Sequence, residues 1–303
     1  MDKIVIRGGR PLNGVVPIAG AKNAALPILM ATLLAPGRHK LTNVPELVDV
    51  STTLSLLGRI GCPSLVSPGT VQLDTSRISF SEAPYDLVRR MRASVLALGP
   101  LLARCGSAKV SLPGGCAIGM RPIDQHLKGM EALGASFELR DGYVFGQAEK
   151  LVGARIVLDV PTVTGTENIL MAAVLAEGHS RIENAAREPE IVDLANFLNS
   201  LGAKIRNAGE STIEVEGVSS LAPPEEAYSI LPDRIEAATY LIAGAITGGD
   251  LTITGARADD LQPVLAKLRE AGCEIDCIND AIRLQRKGPI RSVNISTAPH
   301  PGF

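Results

Sequence analysis

Stretches that are apolar nearly all round alternate along the chain with stretches that are apolar on one face only. Residues 169–175 (Ile-Leu-Met-Ala-Ala-Val-Leu) and 237–243 (Ala-Ala-Thr-Tyr-Leu-Ile-Ala) are of the first kind, which predicts helices buried on every side. In residues 191–201 the apolar side chains recur at helical spacing, which predicts an amphipathic outer helix. Two short β-rich segments follow at 203–206 and 212–215 and indicate a pair of strands.

Glycines at the ends of the helical stretches reveal a repeat. The series after the amphipathic stretches is spaced by 73, 68 and 70 residues: Gly61, Gly134, Gly202 and Gly272. The series after the apolar stretches is spaced by 69, 72 and 71 residues: Gly37, Gly106, Gly178 and Gly249. Glycine is expected after a helix because it accepts the left-handed conformation of the C-cap without steric cost. Two series that agree on a period of about 70 residues indicate repeated structural units.

Each unit therefore reads as strand, buried helix, strand, outer helix, strand and strand. This predicts an α/β fold of repeated βαβαββ units packed around buried helices. Three units, in residues 22–229, make one complete domain, and Pro223–Glu226 is the best candidate for a linker. Residues 1–21 and 230–303 are expected to form a partial second domain, with one unit and, from Ser292 onward, the start of the next.

The amino-acid composition excludes some classes of protein function. The 303 residues are 46% hydrophobic and 20% charged, with a formal net charge of −2. This is a globular composition, and it argues against broad binding to nucleic acid or to a membrane surface, which needs a basic excess. Aromatic residues make up 3% and Trp is absent, which disfavours base-stacking platforms and leaves an aliphatic core.

The expected compartment is the cytoplasm. Five scattered Cys are an odd number and do not suggest a disulfide framework, so the thiols are expected to be reduced. Met1–Arg7 reads as a strand and lacks the apolar run of a signal peptide. No apolar segment reaches the roughly 18 to 20 residues of a membrane span, and the longest, Ala24–Ala35, contains Pro27.

Several segments at the starts of buried helices carry candidate chemistry. Lys22 and Asn23 open the first one, where free backbone N–H groups and the helix dipole favour an anion. The plainer interpretation is a solvated Lys and an Asn cap. Arg89, Arg90 and Arg92 open the second, and Arg92, next to the apolar turn, is expected to point inward toward an anionic partner.

The third and fourth buried helices open on Val163–Asn168, which offers hydroxyls and a Gly for phosphate contact, and on Leu231–Glu236. Since all of these segments lie at the same point of their units, they predict helix N-termini that converge on a polyanionic ligand.

The Gly-rich loop at 113–119 presents Cys116 between a strand ending at Leu112 and a helix starting near Ile123. Arg121 nearby would lower the pKa of that thiol and bind an anion. A buried, inert Cys in a tight turn is the alternative, and it is the stronger interpretation for Cys62, Cys105, Cys273 and Cys277. Cys273 and Cys277 have no second pair and no nearby His, so zinc is not expected.

Six segments together resemble one family. They are Gly20–Pro27, Met91–Ser94, Leu112–Gly119, Arg121–Asp124, Glu183–Glu190 and Leu231–Glu236. In order and in register they resemble the enolpyruvyl transferases, and among these the UDP-N-acetylglucosamine 1-carboxyvinyltransferases. The resemblance implies an inside-out α/β barrel of two domains, each with three βαβαββ units. It also implies a reaction of peptidoglycan synthesis, in which phosphoenolpyruvate and UDP-N-acetylglucosamine give the 3-O-enolpyruvyl ether and phosphate.

The resemblance implies a role for each matching residue. Lys22, Asn23 and Arg121 would hold phosphoenolpyruvate. Cys116 would donate a proton to the methylene carbon, form a covalent adduct with phosphoenolpyruvate and react with fosfomycin. The implied UDP-sugar contacts are Arg92, Arg121, Pro122, Ile123, Asp124, Gln125, Thr162, Val163, Thr164 and Gly165. We expect no cofactor or metal, no nucleic-acid or membrane partner, and a monomer acting on small molecules.

Two departures from the family pattern stand out. Residues 162–165 read Thr-Val-Thr-Gly where some members have Ser-Val-Gly-Ala, which keeps a hydroxyl and a Gly. The sequence stops at Phe303, where the family continues into Pro-Thr-Asp, whose Asp is the proposed base for the sugar hydroxyl. Six units would make about 420 residues, so we expect roughly a quarter of the enzyme to be absent.

Two alternatives remain open at this point. The shikimate-pathway enolpyruvyl transferase shares the fold, but it has no need of the loop Cys. A non-catalytic fragment or paralogue that binds the UDP-sugar without turnover is favoured by the missing Asp.

Overall fold

The computed structural model describes residues 3–79, 82–83, 92–111 and 123–302, with the backbone alone at 82–83 and 92–94. The α-helices in these ranges are α1 (Lys22–Ala31), α2 (Val48–Ile60), α3 (Leu98–Cys105), α4 (Asp124–Ala132), α5 (Val163–Ala173), α6 (Pro189–Ser200), α7 (Arg234–Thr247) and α8 (Gln262–Glu270). Short 3₁₀ helices lie at Thr32–Leu34, Arg92–Ala97 and Ala258–Leu261.

The strands in the same ranges form four-stranded sheets. They are β1 (Asn13–Pro17), β2 (Arg38–Thr42), β3 (Ser64–Ser67), β4 (Thr70–Asp74), β5 (Glu82–Ala83), β6 (Ser107–Ser111), β7 (Ser136–Arg140), β8 (Tyr143–Gln147), β9 (Arg155–Val157), β10 (His179–Glu183), β11 (Lys204–Arg206), β12 (Thr212–Glu216), β13 (Tyr228–Ser229), β14 (Asp250–Thr254), β15 (Glu274–Ile278) and β16 (Ala281–Gln285).

Contacts divide the chain into two compact units. The larger unit is Lys22–Leu231, and the smaller one combines Met1–Ala21 with Pro232–Phe303. The boundary falls between Leu231 and Pro232, so Pro223–Glu226 is not the linker and lies inside the larger unit. There Pro223 packs on Gly37, where an added Cβ would meet its Cγ at 2.7 Å. The proline-rich composition marked a tight surface connection and not a boundary.

One complete repeat shows how the unit is built. The chain runs through β9, α5, β10, α6, β11 and β12, and the sheet order is β11-β12-β10-β9. Strand β9 pairs parallel with β10, as a connection through a buried helix allows, and β10 pairs antiparallel with β12. Alternate residues of β10 and β12 are buried, so one face of the sheet packs on the helices. The predicted βαβαββ repeat is therefore confirmed here.

In the first repeat, the strand that precedes the buried helix does not pair within its own sheet, and a later strand takes its place. Strand β1 directly precedes α1, yet it pairs parallel with β14 in the smaller unit. Its place beside β2 is taken by β13, which comes 187 residues later in the sequence than the strand that it joins (Tyr228 pairs with Leu41). The chain thus crosses between the units twice, once before α1 and once after β13.

In the described part of the larger unit, the core contains the buried helices α1, α3 and α5. Helix α5 contacts both α1 and α3, and α3 also contacts the 3₁₀ helix Thr32–Leu34 that follows α1. Helix α5 is buried along Gly165–Ala173, as its apolar sequence predicts. The outer helices α2, α4 and α6 bury one side each. After α2, Gly61 adopts φ 106° and caps the helix, so the glycine series marks helix ends as predicted.

Three local predictions were wrong. Residues 3–7 form no strand, and Ile4, Val5 and Ile6 are 76–90% exposed, since no described strand lies alongside to pair with them. Helix α7 buries only one face, because within its unit it packs on β14, β16, α8 and the 3₁₀ helix on one side. The glycine that caps α7 is Gly248 (φ 75°) and not Gly249.

Candidate functional site

Lys22 begins α1 and pairs with an acid that the sequence analysis did not select. Its Nζ lies 3.2 Å from Oδ2 of Asp49 in the first turn of α2, and the two side chains are 43% and 39% exposed. Asn23 is exposed next to it. A half-exposed ion pair contributes about 0–1 kcal/mol, so Lys22 can exchange Asp49 for another anion at little cost. No spacing in the sequence links residues 22 and 49.

Gln125 ties the start of α4 to the segment that leads into α5. Its Oε1 accepts a hydrogen bond from the backbone N–H of Asp159 at 2.9 Å, and its Nε2 donates to Oδ2 of Asp159 at 3.0 Å. The same Nε2 lies 3.0 Å from Oδ2 of Asp124. Both ends of the amide are therefore engaged, and the nearly buried Gln125 holds the two segments at a fixed spacing.

Asp159 is the second residue that the sequence analysis missed. Lys128 Nζ lies 2.5 Å from its Oδ1. The hydrogen bond from Lys128, and next that from Gln125, lower the pKa of Asp159, so this carboxylate stays charged. The pair is exposed, which means that its part here is to orient the segment and not to add stability.

Thr162 is the N-cap of α5. It has extended backbone angles (φ −139°, ψ 124°), and its Oγ1 accepts a hydrogen bond from the N–H of Gly165 at 3.3 Å. A Cβ at Gly165 would lie 2.3 Å from Cγ2 of Thr162, so a residue without a side chain lets the cap fold over the helix. Val163 and Thr164 form the first turn and are partly exposed. The cap is neutral, so the positive end of the helix dipole is kept.

His126 joins α4 to α5 directly. It is 3% exposed, and its Nε2 lies 3.3 Å from Oγ1 of Thr164. On its other side, Nδ1 lies 3.1 Å from Nδ2 of the fully buried Asn168. Two of the segments predicted to bind the UDP-sugar, at 123–125 and 162–165, are thus brought together partly by His126, which the prediction did not include. A lone His on an outer helix gives no signal of such a contact in the sequence.

Glu167 lies one turn into α5 and is 1% exposed. Burial first, and then the nearby carboxylates of Glu190 and Glu188, raise its pKa well above the usual value. No described group hydrogen-bonds its Oε1. The side chain therefore favours the neutral, protonated form in the fold.

Several predicted site residues fall outside these observations. Cys116, Arg121 and Pro122 lie outside the described residues. Arg92 begins the 3₁₀ helix Arg92–Ala97, but its side chain is not among those described. Ile123 directly precedes α4, so that helix starts where the sequence predicted.

The other thiols behave as structural groups. Burial raises the pKa of Cys62 to about 11 and also raises those of Cys105 and Cys273. In the described ranges, no three His, Cys, Asp or Glu side chains are grouped in a way that could hold a metal ion. None of the helices in the described part of the chain is long and apolar enough to cross a membrane.

Solved structures define the class of the fold. The chain superposes on the enolpyruvyl transferase NikO from Streptomyces tendae with a TM-score of 0.86 and 26% identity, covering 98% of this chain and 71% of that one. It superposes on an EPSP synthase from Acinetobacter baumannii with a TM-score of 0.73 and 18% identity, covering 92% and 65%. The fold is therefore that of the enolpyruvyl transferases, as the sequence predicted.

Sequence comparisons narrow this class. The family model described as EPSP synthase (3-phosphoshikimate 1-carboxyvinyltransferase) matches residues 6–303. UDP-N-acetylglucosamine 1-carboxyvinyltransferases from Desulfatibacillum aliphaticivorans and Magnetococcus marinus are both 55% identical to this chain over its whole length, which spans 72% of each. The chain belongs to the family of carboxyvinyltransferases that these proteins represent.

Proposed function

We propose that this protein transfers the enolpyruvyl group of phosphoenolpyruvate to the 3-hydroxyl of UDP-N-acetylglucosamine and releases phosphate. This is the first committed step of peptidoglycan synthesis. The observation that carries the proposal is the 55% identity to proteins named for this activity along the whole chain. The pairing of the α4 and α5 N-termini supports it, because two adjacent helix starts suit a ligand with a diphosphate.

In this proposal, phosphoenolpyruvate binds at the start of α1. Lys22 neutralises part of its charge by exchanging Asp49 for the substrate, and Asn23 donates from the exposed first turn. Arg121 completes the neutralisation. The cations act most strongly as phosphate leaves, since charge then collects on the leaving group.

The UDP-sugar binds along the starts of α4 and α5. Its proposed contacts are Arg92, Arg121, Pro122, Ile123, Asp124, Gln125, Thr162, Val163, Thr164 and Gly165. Among these, Gln125 and Thr162 already make internal hydrogen bonds through their side chains. Their contribution is to hold the backbone that contacts the ligand. Thr164, which is partly exposed in the first turn of α5, offers a side-chain hydroxyl to the ligand.

The reaction consists of an addition and an elimination. In the addition, the sugar oxygen bonds to C2 of phosphoenolpyruvate and gives up its proton to a base, while the methylene carbon takes a proton from the Cys116 thiol. A tetrahedral ketal results. In the elimination, the new methyl group loses a proton and the C2–O bond to phosphate breaks, which leaves the enol ether and inorganic phosphate. A positioned acid lowers the barrier because carbon is protonated as oxocarbenium character develops.

An assay of product and phosphate tests the proposal. We expect phosphate and the 3-O-enolpyruvyl ether in equal amounts when both substrates are present. We expect neither when shikimate 3-phosphate replaces UDP-N-acetylglucosamine. Phosphate release with phosphoenolpyruvate and shikimate 3-phosphate, but not with phosphoenolpyruvate and UDP-N-acetylglucosamine, would overturn the proposal in favour of the other enolpyruvyl transfer. Calorimetric binding of UDP-N-acetylglucosamine without phosphate release would identify a UDP-sugar-binding protein without turnover.

Mass spectrometry after treatment with fosfomycin tests the role of Cys116. We expect one adduct on Cys116 and none in Cys116→Ala. Cys105→Ala is the matched control, since Cys105 is an exposed residue at the end of α3 whose thiol is only partly buried, and that partial burial raises its pKa. An adduct on Cys105 with Cys116 unmodified would contradict the assignment.

The proposed enzyme acts as a monomer in the cytoplasm on these two small molecules. Sedimentation at several concentrations tests this, and a mass that doubles with concentration would contradict it.

A further inference from the structure

The contact between His126 and Thr164 has a direction that the surrounding hydrogen bonds determine. His126 Nε2 and Thr164 Oγ1 are 3.3 Å apart, and either atom is able to carry the shared proton. If the imidazole donates, the hydroxyl keeps its own proton for another acceptor. If the hydroxyl donates, Thr164 turns only lone pairs outward. An anionic ligand distinguishes sharply between these two states.

Asn168 decides between them because its amide has only one possible orientation. Its Oδ1 lies 2.7 Å from the backbone N of Gly99, which can only donate. Its Nδ2 lies 2.9 Å from the backbone O of Val95, which can only accept. A flipped amide would turn its NH₂ group toward the N–H of Gly99, donor against donor. It would also turn its oxygen toward the carbonyl oxygen of Val95, acceptor against acceptor. The side chain is fully buried, so water cannot relieve either conflict.

The second proton of Asn168 Nδ2 then points at His126 Nδ1, 3.1 Å away. Nδ1 must therefore be an acceptor. A neutral imidazole carries one proton, so that proton is on Nε2 and is donated to Thr164 Oγ1. The order of donation runs from Asn168 to His126 and from His126 to Thr164.

We propose that His126 is a positioning residue for the UDP-sugar: Asn168 holds its imidazole as the Nε2–H tautomer, which makes the Thr164 hydroxyl a hydrogen-bond donor toward an anionic oxygen of the ligand. The inference rests on the proposed function for the identity of that ligand. The hydroxyl lies in the first turn of α5, where the helix dipole also favours negative charge. With the opposite tautomer, Thr164 would present lone pairs at the same place and repel the anion.

Two substitutions separate this role from simple packing. In His126→Gln the amide nitrogen reaches the position of Nε2 and still donates to Thr164, whereas the contact with Asn168 is lost. In His126→Asn the amide oxygen lies near the position of Nδ1 and still accepts from Asn168, whereas nothing reaches Thr164. We expect the Kd for UDP-N-acetylglucosamine, measured by calorimetry, to rise about tenfold in His126→Asn and to change little in His126→Gln. The reverse order would overturn the proposal.

A double-mutant cycle tests whether His126 acts through Thr164. Thr164→Val alone is expected to raise the Kd about tenfold, and the double variant with His126→Asn should bind no more weakly than Thr164→Val. Independent losses that multiply to about a hundredfold would show that His126 acts by another route.

Nuclear magnetic resonance tests the tautomer in the unmodified protein and without ligand. Two-bond proton–nitrogen spectra distinguish a protonated from an unprotonated ring nitrogen, and the chain has only four His. The set of imidazole cross-peaks that disappears in the spectrum of His126→Gln belongs to residue 126. We expect a protonated Nε2 and a bare Nδ1, and a protonated Nδ1 would overturn the inference. If the unmodified protein does not bind UDP-N-acetylglucosamine, the proposed function itself fails, whatever this spectrum shows.

Discussion

Replacing Gly99 by Ala should destabilise the protein, although Ala is the better helix former. Gly99 lies in the first turn of α3, next to α5. A Cβ built there would lie 2.3 Å from the backbone O of Asn168 and 2.6 Å from its Oδ1. The first of these atoms belongs to the backbone of a buried helix, so a side-chain rotation cannot move it away.

The size of the effect follows from three opposing contributions. A contact about 1 Å too short forces α3 and α5 apart, which costs about 1–3 kcal/mol. Weakening the hydrogen bond from Gly99 N to Asn168 Oδ1 adds about 1 kcal/mol. The gain in helix propensity from Gly to Ala offsets about 1 kcal/mol. The net loss is about 2 kcal/mol, or a fall in Tm of about 4–8 °C for a unit of this size.

Two other helical glycines make a matched series. Gly58 in α2 has nothing within 4 Å of its added Cβ, so Gly58→Ala should stabilise by about 0.5–1 kcal/mol. In α4, a Cβ added at Gly129 would lie 2.2 Å from Cδ1 of Ile169, the end of a side chain that is able to rotate away. The stability of Gly129→Ala should therefore fall between those of the other two variants. Thermal unfolding followed by circular dichroism measures all three. A Tm for Gly99→Ala equal to or above that of the unmodified protein would refute the reasoning.

Three further predictions concern other parts of the molecule. Because burial and then Glu190 raise the pKa of Glu167 in the fold, its contribution to stability is present at acidic pH and is lost as pH rises above about 4.5, the usual value. Glu167→Gln should therefore gain stability relative to the unmodified protein between pH 5 and pH 8 in urea unfolding, and a difference that is flat with pH would contradict this. Asp233 caps α7 by accepting from two backbone N–H groups at 2.8 and 3.0 Å, so Asp233→Ala should cost about 1 kcal/mol and Asp233→Asn much less; equal losses in the two variants would show that the cap is not the cause. Cys62, whose pKa is about 11, should resist iodoacetamide at pH 8 until the protein unfolds, and fast labelling of the native protein would show that its thiol is not buried as described.

Local chemistry explains which parts of the fold the sequence predicted. Gly61, Gly134, Gly202 and Gly272 all adopt positive φ, because the end of a helix needs that conformation whatever packs around it. The exchange of β1 and β13 was not predictable in the same way. Both strands are short and have no marked pattern, and their partners are decided by pairing between distant segments.

The same division applies to the candidate site. The starts of α4 and α5 were predicted, since a Gly-rich loop precedes α4 and a segment with hydroxyls and a Gly opens α5. Asp159, His126 and Asn168 were missed, because each acts through a partner on another helix or loop. Such contacts have no fixed spacing along the chain, so only the folded arrangement reveals them.

The N-termini of the buried helices were predicted to converge on a polyanionic ligand, and we expect their different caps to make them unequal as anion sites. At α7, Asp233 occupies the backbone N–H groups of Ile235 and Glu236 and adds a negative charge of its own. That charge cancels the helix dipole for any incoming anion. At α5, the neutral Thr162 takes the N–H of Gly165 and leaves the dipole uncompensated. We therefore expect the chemistry of the cap, and not its position in the repeat, to decide which helix start receives a phosphate, and the start of α5 to bind one more tightly than the start of α7.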